Sequence, residues 1–582
     1  MKKSLIFKLL SVFVFAAMIL AACGGDATEE PADTTDAGDA ADAGDAADAG
    51  DALDNPYDEI PYGEPLVLDA GGCDYGGKVS TIEAMDEFTV RFTLCGPDPA
   101  FLAKIAFTPF GIQPREYFEY TGGTGDLLDS PVGTGPYMVE EWVRGEQVTY
   151  TRFDDYWGEL ASAQTAVLKW STEGAARLLE LQAGTADYIW NLSPDDYAVV
   201  EDDPNLVLIP DLNPNILYIA MTNTFAPWDN VDVRRAVAMG IDRDRIVTNF
   251  FPGGSEVASH FTPCSIPNGC EGDAWYDLDL DAANAMLDAA GFPRGDDGVR
   301  FTTAIYYRDV FRVYLPEPGL VAVELQTQLL ENLGIDAEVI VMESGEFIAA
   351  STDGQLDGIY MLGWGADYPH VTNFLDFHFN EGNPQFGDTH AEIYGPLLEA
   401  SQIADLATAA PLYAAANNAI RELVPMIPVV HGANANAAQA SLVGAYKPPF
   451  GAVEFYLLDN GTDTLVLVQN AEPISLYCAD ETDGESLRPC QQVVESLLEY
   501  ATNSGDTVPA LATACTGNDD ASVWTCTLCE DVLFHDGSKF DANDVVASWA
   551  AGLDASNPFH VGNTGGFDYF AYLWDGLINA EE

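Results

Sequence analysis

The stretch GWGADYPHVTNFL, residues 363–375, sets one carboxylate between two aromatic rings. Asp367 offers a charge and acceptor lone pairs, which a cation needs once it is taken out of water. Trp364 and Tyr368 flank it, with ring faces suited to a ligand side chain or a sugar. The plainer reading is that Asp367 opens a turn before Tyr368-Pro369 and that both rings are core. Arg308 and Arg312, in YYRDVFRVYL, are candidates to meet a ligand carboxylate, although long surface arginines are common. Trp228, in NTFAPWDN, is a further aromatic candidate. His370, His378 and His390 have no recognised metal spacing, so neither a metal nor a cofactor is expected. No GxSxG, HExxH or P-loop occurs, and HDGS at 535–538 reads as a turn before a helix. These absences leave a hydrolase without a recognisable motif.

The N-terminus is an export leader. Lys2, Lys3 and Lys8 precede an apolar run from Leu9 to Leu20, too short for a convincing membrane span. LAAC at 20–23, followed by Gly24, resembles a bacterial lipobox. That resemblance implies cleavage after residue 22 and lipid on Cys23, where several acyl chains hold better than one. The alternative is an ordinary secretory signal in which Cys23 is incidental. Residues 23–55 repeat ADAGDA and cannot bury enough apolar surface to fold, so they are expected to be a disordered acidic tether. The body is expected outside the cytoplasm, in the periplasm or on the outer face of the cytoplasmic membrane.

The formal charge of −70 argues against nucleic acid as a partner. Its plainest meaning is a solvated acidic surface that resists aggregation, with a saline habitat or attraction for cationic solutes as alternatives. Ten cysteines include Cys23. In an exported protein the rest should form disulfides. The local pairs are Cys264–Cys270 and Cys478–Cys490, with Cys515–Cys526 plausible. An odd number beyond Cys23 leaves one thiol free or paired between chains. The CTLC spacing of Cys526 and Cys529 lies in a strand-like run and reads as structural.

These residues need elements to hold them. Alternating runs around Asp86-Glu87 predict a hairpin over 78–95. Helices are expected over 171–184, 231–250, 279–292, 319–335, 403–423 (with a break or kink at Pro411) and 491–501. Strands are expected at FTTAIYY, DAEVIVM, DGIYMLGW and MIPVVHG. Asp541 and Asp544 form a capping box ahead of the helix DVVASW. Alternating strand and helix predict an α/β fold.

Seven segments together resemble the solute-binding proteins of ABC transporters, in the oligopeptide- and dipeptide-binding group of family 5. They are VLVQNAEPISL, VLFHDGSKFDANDVVASW, IEAMDEFTVRFTL, PVGTGPYMVEEW, FDDYWG, DVRRAVAMGIDRDRIV and GWGADYPHVTNFL. The resemblance implies a two-lobed periplasmic-binding-protein-like fold (type II, Venus-flytrap) with an enlarged lobe I, and hinge closure on a ligand. It also implies a membrane permease as partner and a monomer that captures peptides. Oligosaccharide or metal-chelate cargo is the alternative, as is a binder without a permease. At Asp367's position the resemblance implies a pair with the ligand's α-ammonium. The family often continues with another acidic residue and Pro, where this chain has PHV. The order of segments also departs: the two that open the family's sequence lie here at 464–582. A circular permutation is expected, with lobe I formed by 56–255 and 425–582 and lobe II by 256–424. A domain swap of 464–582 onto a neighbour is the alternative. Trp228 is expected to reach the ligand from the lobe opposite Asp367.

Overall fold

The computed structural model describes residues 56–580, so the leader, Cys23 and the acidic repeat lie outside the described residues. Two bodies with separate hydrophobic cores make up these residues.

One body is built on a six-stranded sheet. Its order is Glu256–Val257, Met426–His431, Asn215–Met221, Ile359–Gly365, Phe301–Arg308, Ile335–Met342. The strand Asn215–Met221 is buried at every position, because the sheet is covered on both faces. Phe301–Arg308 runs parallel to both of its neighbours, as strands joined through helices do. Helices Val231–Gly240 and Leu280–Ala289 pack on each other, and Leu406–Leu423 runs through Pro411 without ending. The expected break at Pro411 is therefore absent, since only one backbone hydrogen bond is forfeited there and one apolar face remains packed.

The other body carries a seven-stranded and a five-stranded sheet. Both are finished by the chain's end. Thr464–Gln469 lies parallel between Thr165–Trp170 and Tyr188–Ile189, so a strand from the last quarter of the chain sits inside the larger sheet. Val523–Leu528 pairs with Thr89–Leu94, from the expected hairpin. The helix Ala542–Leu553 has the expected capping box of Asp541 and Asp544. Its Trp549 meets Phe92 edge-on at 5.1 Å and stacks on Phe110 at 5.1 Å, which ties the tail to the front half.

Three expectations need correction. The division between bodies does not fall at 255: strand Asn215–Met221 and the helices Val231–Gly240 and Arg243–Phe250 belong to the six-stranded body. Its last strand runs to His431, beyond the expected 424. Local texture changed near 255 because a Pro/Gly-rich loop begins there, whereas lobe membership is set by which sheet a strand joins. The segment 491–501 is not helical. The helix is Gly484–Cys490, and Leu498–Tyr500 is a short strand paired with Thr507–Pro509. Its apolar spacing serves a buried irregular segment packed against the GTGPY turn.

The disulfides are Cys264–Cys270, Cys478–Cys490 and Cys515–Cys526, as expected, together with Cys73–Cys95. Cys526 is thus committed across a strand pair, which accounts for half of the CTLC spacing. No described helix is long and apolar enough to cross a membrane.

Candidate functional site

The strand Ile359–Gly365 delivers Asp367 to the junction of the two bodies. Gly363 is required on the way: a Cβ there would lie 2.3 Å from the Ile216 carbonyl oxygen and 2.3 Å from the Tyr314 ring. The turn after it is closed by Asn373, which is wholly buried. Asn373 Oδ1 accepts from the Asp367 backbone N–H at 3.0 Å and from Trp364 Nε1 at 3.3 Å. Its Nδ2 donates to Asp367 Oδ2 at 3.0 Å. The remaining carboxylate oxygen, Oδ1, accepts from the Tyr569 hydroxyl at 3.1 Å. Tyr569 lies on the helix Asp568–Leu573 of the other body, 202 residues away in sequence. Burial pushes the Asp367 carboxyl up to about 6, against the pull of these two hydrogen bonds.

The expected partners fall out as follows. Trp364 stacks on Phe377 at 4.5 Å, and Tyr572 meets Phe377 edge-on at 5.0 Å. Tyr368 packs in the core of the opposite body, with its hydroxyl 3.2 Å from Thr372 Oγ1. Arg308 stands at the same sheet end, donating to Ser344 Oγ at 3.0 Å and to the Tyr314 hydroxyl at 3.4 Å. Arg312 is exposed, and its Nη1 donates to the Phe311 carbonyl at 2.9 Å.

Trp228 is a correction. It is 1% exposed and packs edge-on against Phe301 at 5.9 Å in the same body as Asp367. Phe301 opens the strand whose far end is Arg308, so Trp228 sits roughly 20 Å along the sheet from Arg308. Its position just before a helix suggested a lobe edge; the ring is instead buried against the first residue of a strand of its own body.

The histidines of the region are also core. His370 Nδ1 is 2.8 Å from Thr372 Oγ1 and His378 Nδ1 is 2.8 Å from the Phe374 carbonyl. Burial pushes them down to about 4 and about 3, so both are neutral at physiological pH.

A cavity of about 660 Å³ opens between the bodies, reached from this turn through Tyr368 and not through Asp367 itself. Lys78, Asp98 and Lys104 line it from one side, and Tyr368, Asp376 and Tyr394 from the other. Lys104 is paired with Asp98 at 2.6 Å and Lys78 with Asp575 at 3.1 Å. Asp376 keeps a buried oxygen without a hydrogen-bond partner, and burial pushes its carboxyl up to about 7. A volume of this order lies within the range of small-ligand sites.

Asn373, Tyr569, Phe377 and Asp376 were not singled out from sequence. Asn373 stands in the same quoted stretch and was the accessible signal. Tyr569 had none, because its neighbourhood depends on how the chain's end docks.

Raised carboxyls have a consequence for stability. Asp367 at about 6, Asp376 and Glu495 at about 7 and Glu454 at about 8 hold protons in the folded protein that the unfolded chain has released. Their contribution is fully present below the ordinary carboxylate range and is lost as pH rises through 6 to 8. Self-repulsion at a charge of −70 acts with the same sign. The melting temperature is expected to be higher at pH 5 than at pH 8.5 by about 5 °C. A flat or opposite profile in calorimetry refutes this.

The model of the bacterial extracellular solute-binding proteins, family 5 Middle, matches residues 38–386 and 506–568. Di/tripeptide-binding protein 1 of Pseudomonas aeruginosa is 27% identical over 412 residues, 69% of this chain and 74% of that protein. Heme-binding protein A of Haemophilus influenzae is 28% identical over 386 residues, 65% of this chain and 69% of that protein. Among solved structures, the dipeptide-binding protein of Pseudoalteromonas sp. SM9913 in complex with Met-Leu aligns with a TM-score of 0.56 and 25% identity, over 67% of this chain and 76% of that one.

Proposed function

We propose, from the premise that this chain belongs to the family 5 bacterial extracellular solute-binding proteins, that it captures short peptides between its two lobes and hands them to a membrane permease. The family consists of binding proteins of transport systems, not enzymes. The observation that carries the peptide reading is the setting of Asp367. Its carboxylate is largely buried at the lobe junction and held by two neutral donors, with lone pairs to spare. An ammonium is the natural complement of such a group. The di/tripeptide-binding relative and the Met-Leu complex favour the same cargo.

In this reading Trp364 and Tyr368 wall the ligand space, and Arg308 or Arg312 receives the peptide carboxylate. Cys23 carries the lipid that keeps the protein on the membrane, with residues 24–55 as the tether. The division near 214 and 432 is the hinge. The position of Thr464–Gln469 inside the sheet of lobe I fits a circular permutation, with a swap between chains as the alternative. A monomer mass in size-exclusion chromatography is the expected result, and a stable dimer would favour the swap.

The test is calorimetry with Met-Leu and its N-acetylated form. The free amine is expected to bind at least tenfold more tightly, a difference of about 1.4 kcal/mol or more. Equal affinity of the two forms overturns the ammonium reading, and no binding of either overturns peptide cargo. Heme is the second cargo to try, because the relative from Haemophilus influenzae carries that name.

A further inference from the structure

We propose that Tyr569 is a positioning residue that makes Asp367 a working anion only when the lobes meet. The inference rests on the peptide reading for its ligand arm and on geometry alone for the rest.

Asp367 belongs to the six-stranded lobe and Tyr569 to the tail of the other, and their side chains meet at 3.1 Å. Tyr569 is not free to swing: Phe107 meets its ring edge-on at 4.7 Å. Asn373, in contrast, is part of Asp367's own turn and reaches Oδ2 whatever the other lobe does. The carboxylate thus has one donor that is always present and one that arrives with lobe contact.

That division matters because closure also removes water. A carboxylate losing solvent tends to take up a proton, and a neutral carboxyl is a poor partner for an ammonium. The Tyr569 hydroxyl compensates at the moment of desolvation, since it stabilises the charged form by donation. With one protein donor on each oxygen, each oxygen keeps a lone pair for a primary ammonium. The other titratable groups around this pair do not replace that donor. Tyr368, Tyr500 and Tyr572 lie within electrostatic reach of Asp367 but direct their hydroxyls elsewhere or bear no bond to it, and burial keeps all three protonated. Burial first, then the charge of Asp367 and, more weakly, those of Asp483 and Asp568, hold the Tyr569 hydroxyl in the protonated, donating form. His370 is neutral, and Lys104 is held by Asp98.

The experiment compares wild type, Tyr569→Phe, Asp367→Asn and the double variant across pH 5 to 8. The first arm uses no ligand. The melting-temperature gap between wild type and Tyr569→Phe is expected to widen as pH rises through about 6, where Asp367 ionises. It is expected to become pH-independent in the Asp367→Asn background. A merely structural Tyr569 would give a constant gap in both backgrounds, and that result overturns the proposal. The second arm is Met-Leu affinity. Wild type is expected to lose affinity below about pH 6, and Tyr569→Phe to shift that acid limb upward by about one pH unit, with roughly threefold weaker binding at pH 6.5 and roughly ninefold at pH 5. An unmoved acid limb in Tyr569→Phe also overturns it. If wild type binds no peptide at any pH, the cargo reading fails, while the first arm still decides whether Tyr569 controls the charge on Asp367.

Discussion

Asp367→Ala is expected to weaken binding of Met-Leu more than tenfold while leaving the protein folded. The carboxylate is the one group that the sheet end, the Asn373 clamp and the opposite lobe's Tyr569 all converge on. A hydrogen bond to a charged group contributes about 1.5–3 kcal/mol, which is roughly 10- to 100-fold in affinity. Truncation also strands the Asn373 amide and the Tyr569 hydroxyl, so Asp367→Asn is the cleaner companion: it keeps the shape and removes the charge. Both variants should lose the preference for a free over an acetylated amine. Calorimetry giving unchanged affinity for Asp367→Ala would remove this residue from the site and leave the turn reading of the sequence standing.

Lys104→Met is expected to have the largest effect on stability, about 3–5 kcal/mol. Lys104 and Asp98 are among the most enclosed charges in the protein, with side chains 3% and 6% exposed and Nζ 2.6 Å from Oδ2. Lys104 also donates to the Leu573 carbonyl at 3.2 Å and lies 5.3 Å from the Trp574 ring centre. Methionine fills the space but leaves the buried Asp98 carboxylate without its direct partner, with only Lys78, itself paired with Asp575, as a nearby positive charge. The Ala100 amide, donating to Asp98 at 2.9 Å, cannot offset that alone. Combining Lys104→Met with Asp98→Asn should recover most of the loss, because the neutral pair no longer has a charge to desolvate. Urea unfolding reads both, and a single variant within 1 kcal/mol of wild type would refute the argument. Since Leu573 belongs to the tail, the same experiment reports how firmly residues near 570 dock on the front half.

The two predictions differ in how far the sequence foresaw them. Asp367 stood out because GWGADYP resembles the family stretch whose aspartate pairs with a ligand's α-ammonium, and a carboxylate flanked by Trp364 and Tyr368 fits that role. Lys104 did not, because a lysine in FLAKIAF is as readily a solvated helix residue. Its burial follows from the Trp574 side of the tail closing over it. Trp228 failed for the reverse reason. Its local context was informative about the helix that follows, yet nothing local says at which end of a sheet a strand-flanking ring will lie. The segment 491–501 had helical spacing, but its residues Gln492 and Glu495 are consumed by contacts to Val453, Phe455, Thr134 and Trp157, which hold the chain in turns.

By itself, the chain's order of residues determined the local things: the capping box at Asp541, the hairpin around Asp86, the three short-range disulfides and the α/β alternation. Each depends on groups within about a dozen positions, where chain connectivity already brings the partners together. The out-of-order segments added one long-range expectation, that the end of the chain completes lobe I; in the structure Thr464–Gln469 pairs with Thr165–Trp170 and Val523–Leu528 with Thr89–Leu94. Tertiary structure alone decided the rest: which lobe owns residues 215–250, where Trp228 lies, and that Tyr569 meets Asp367 from 202 residues away. Such contacts are selected by the burial of whole faces against each other, a property of the assembled surfaces and not of any single stretch of sequence.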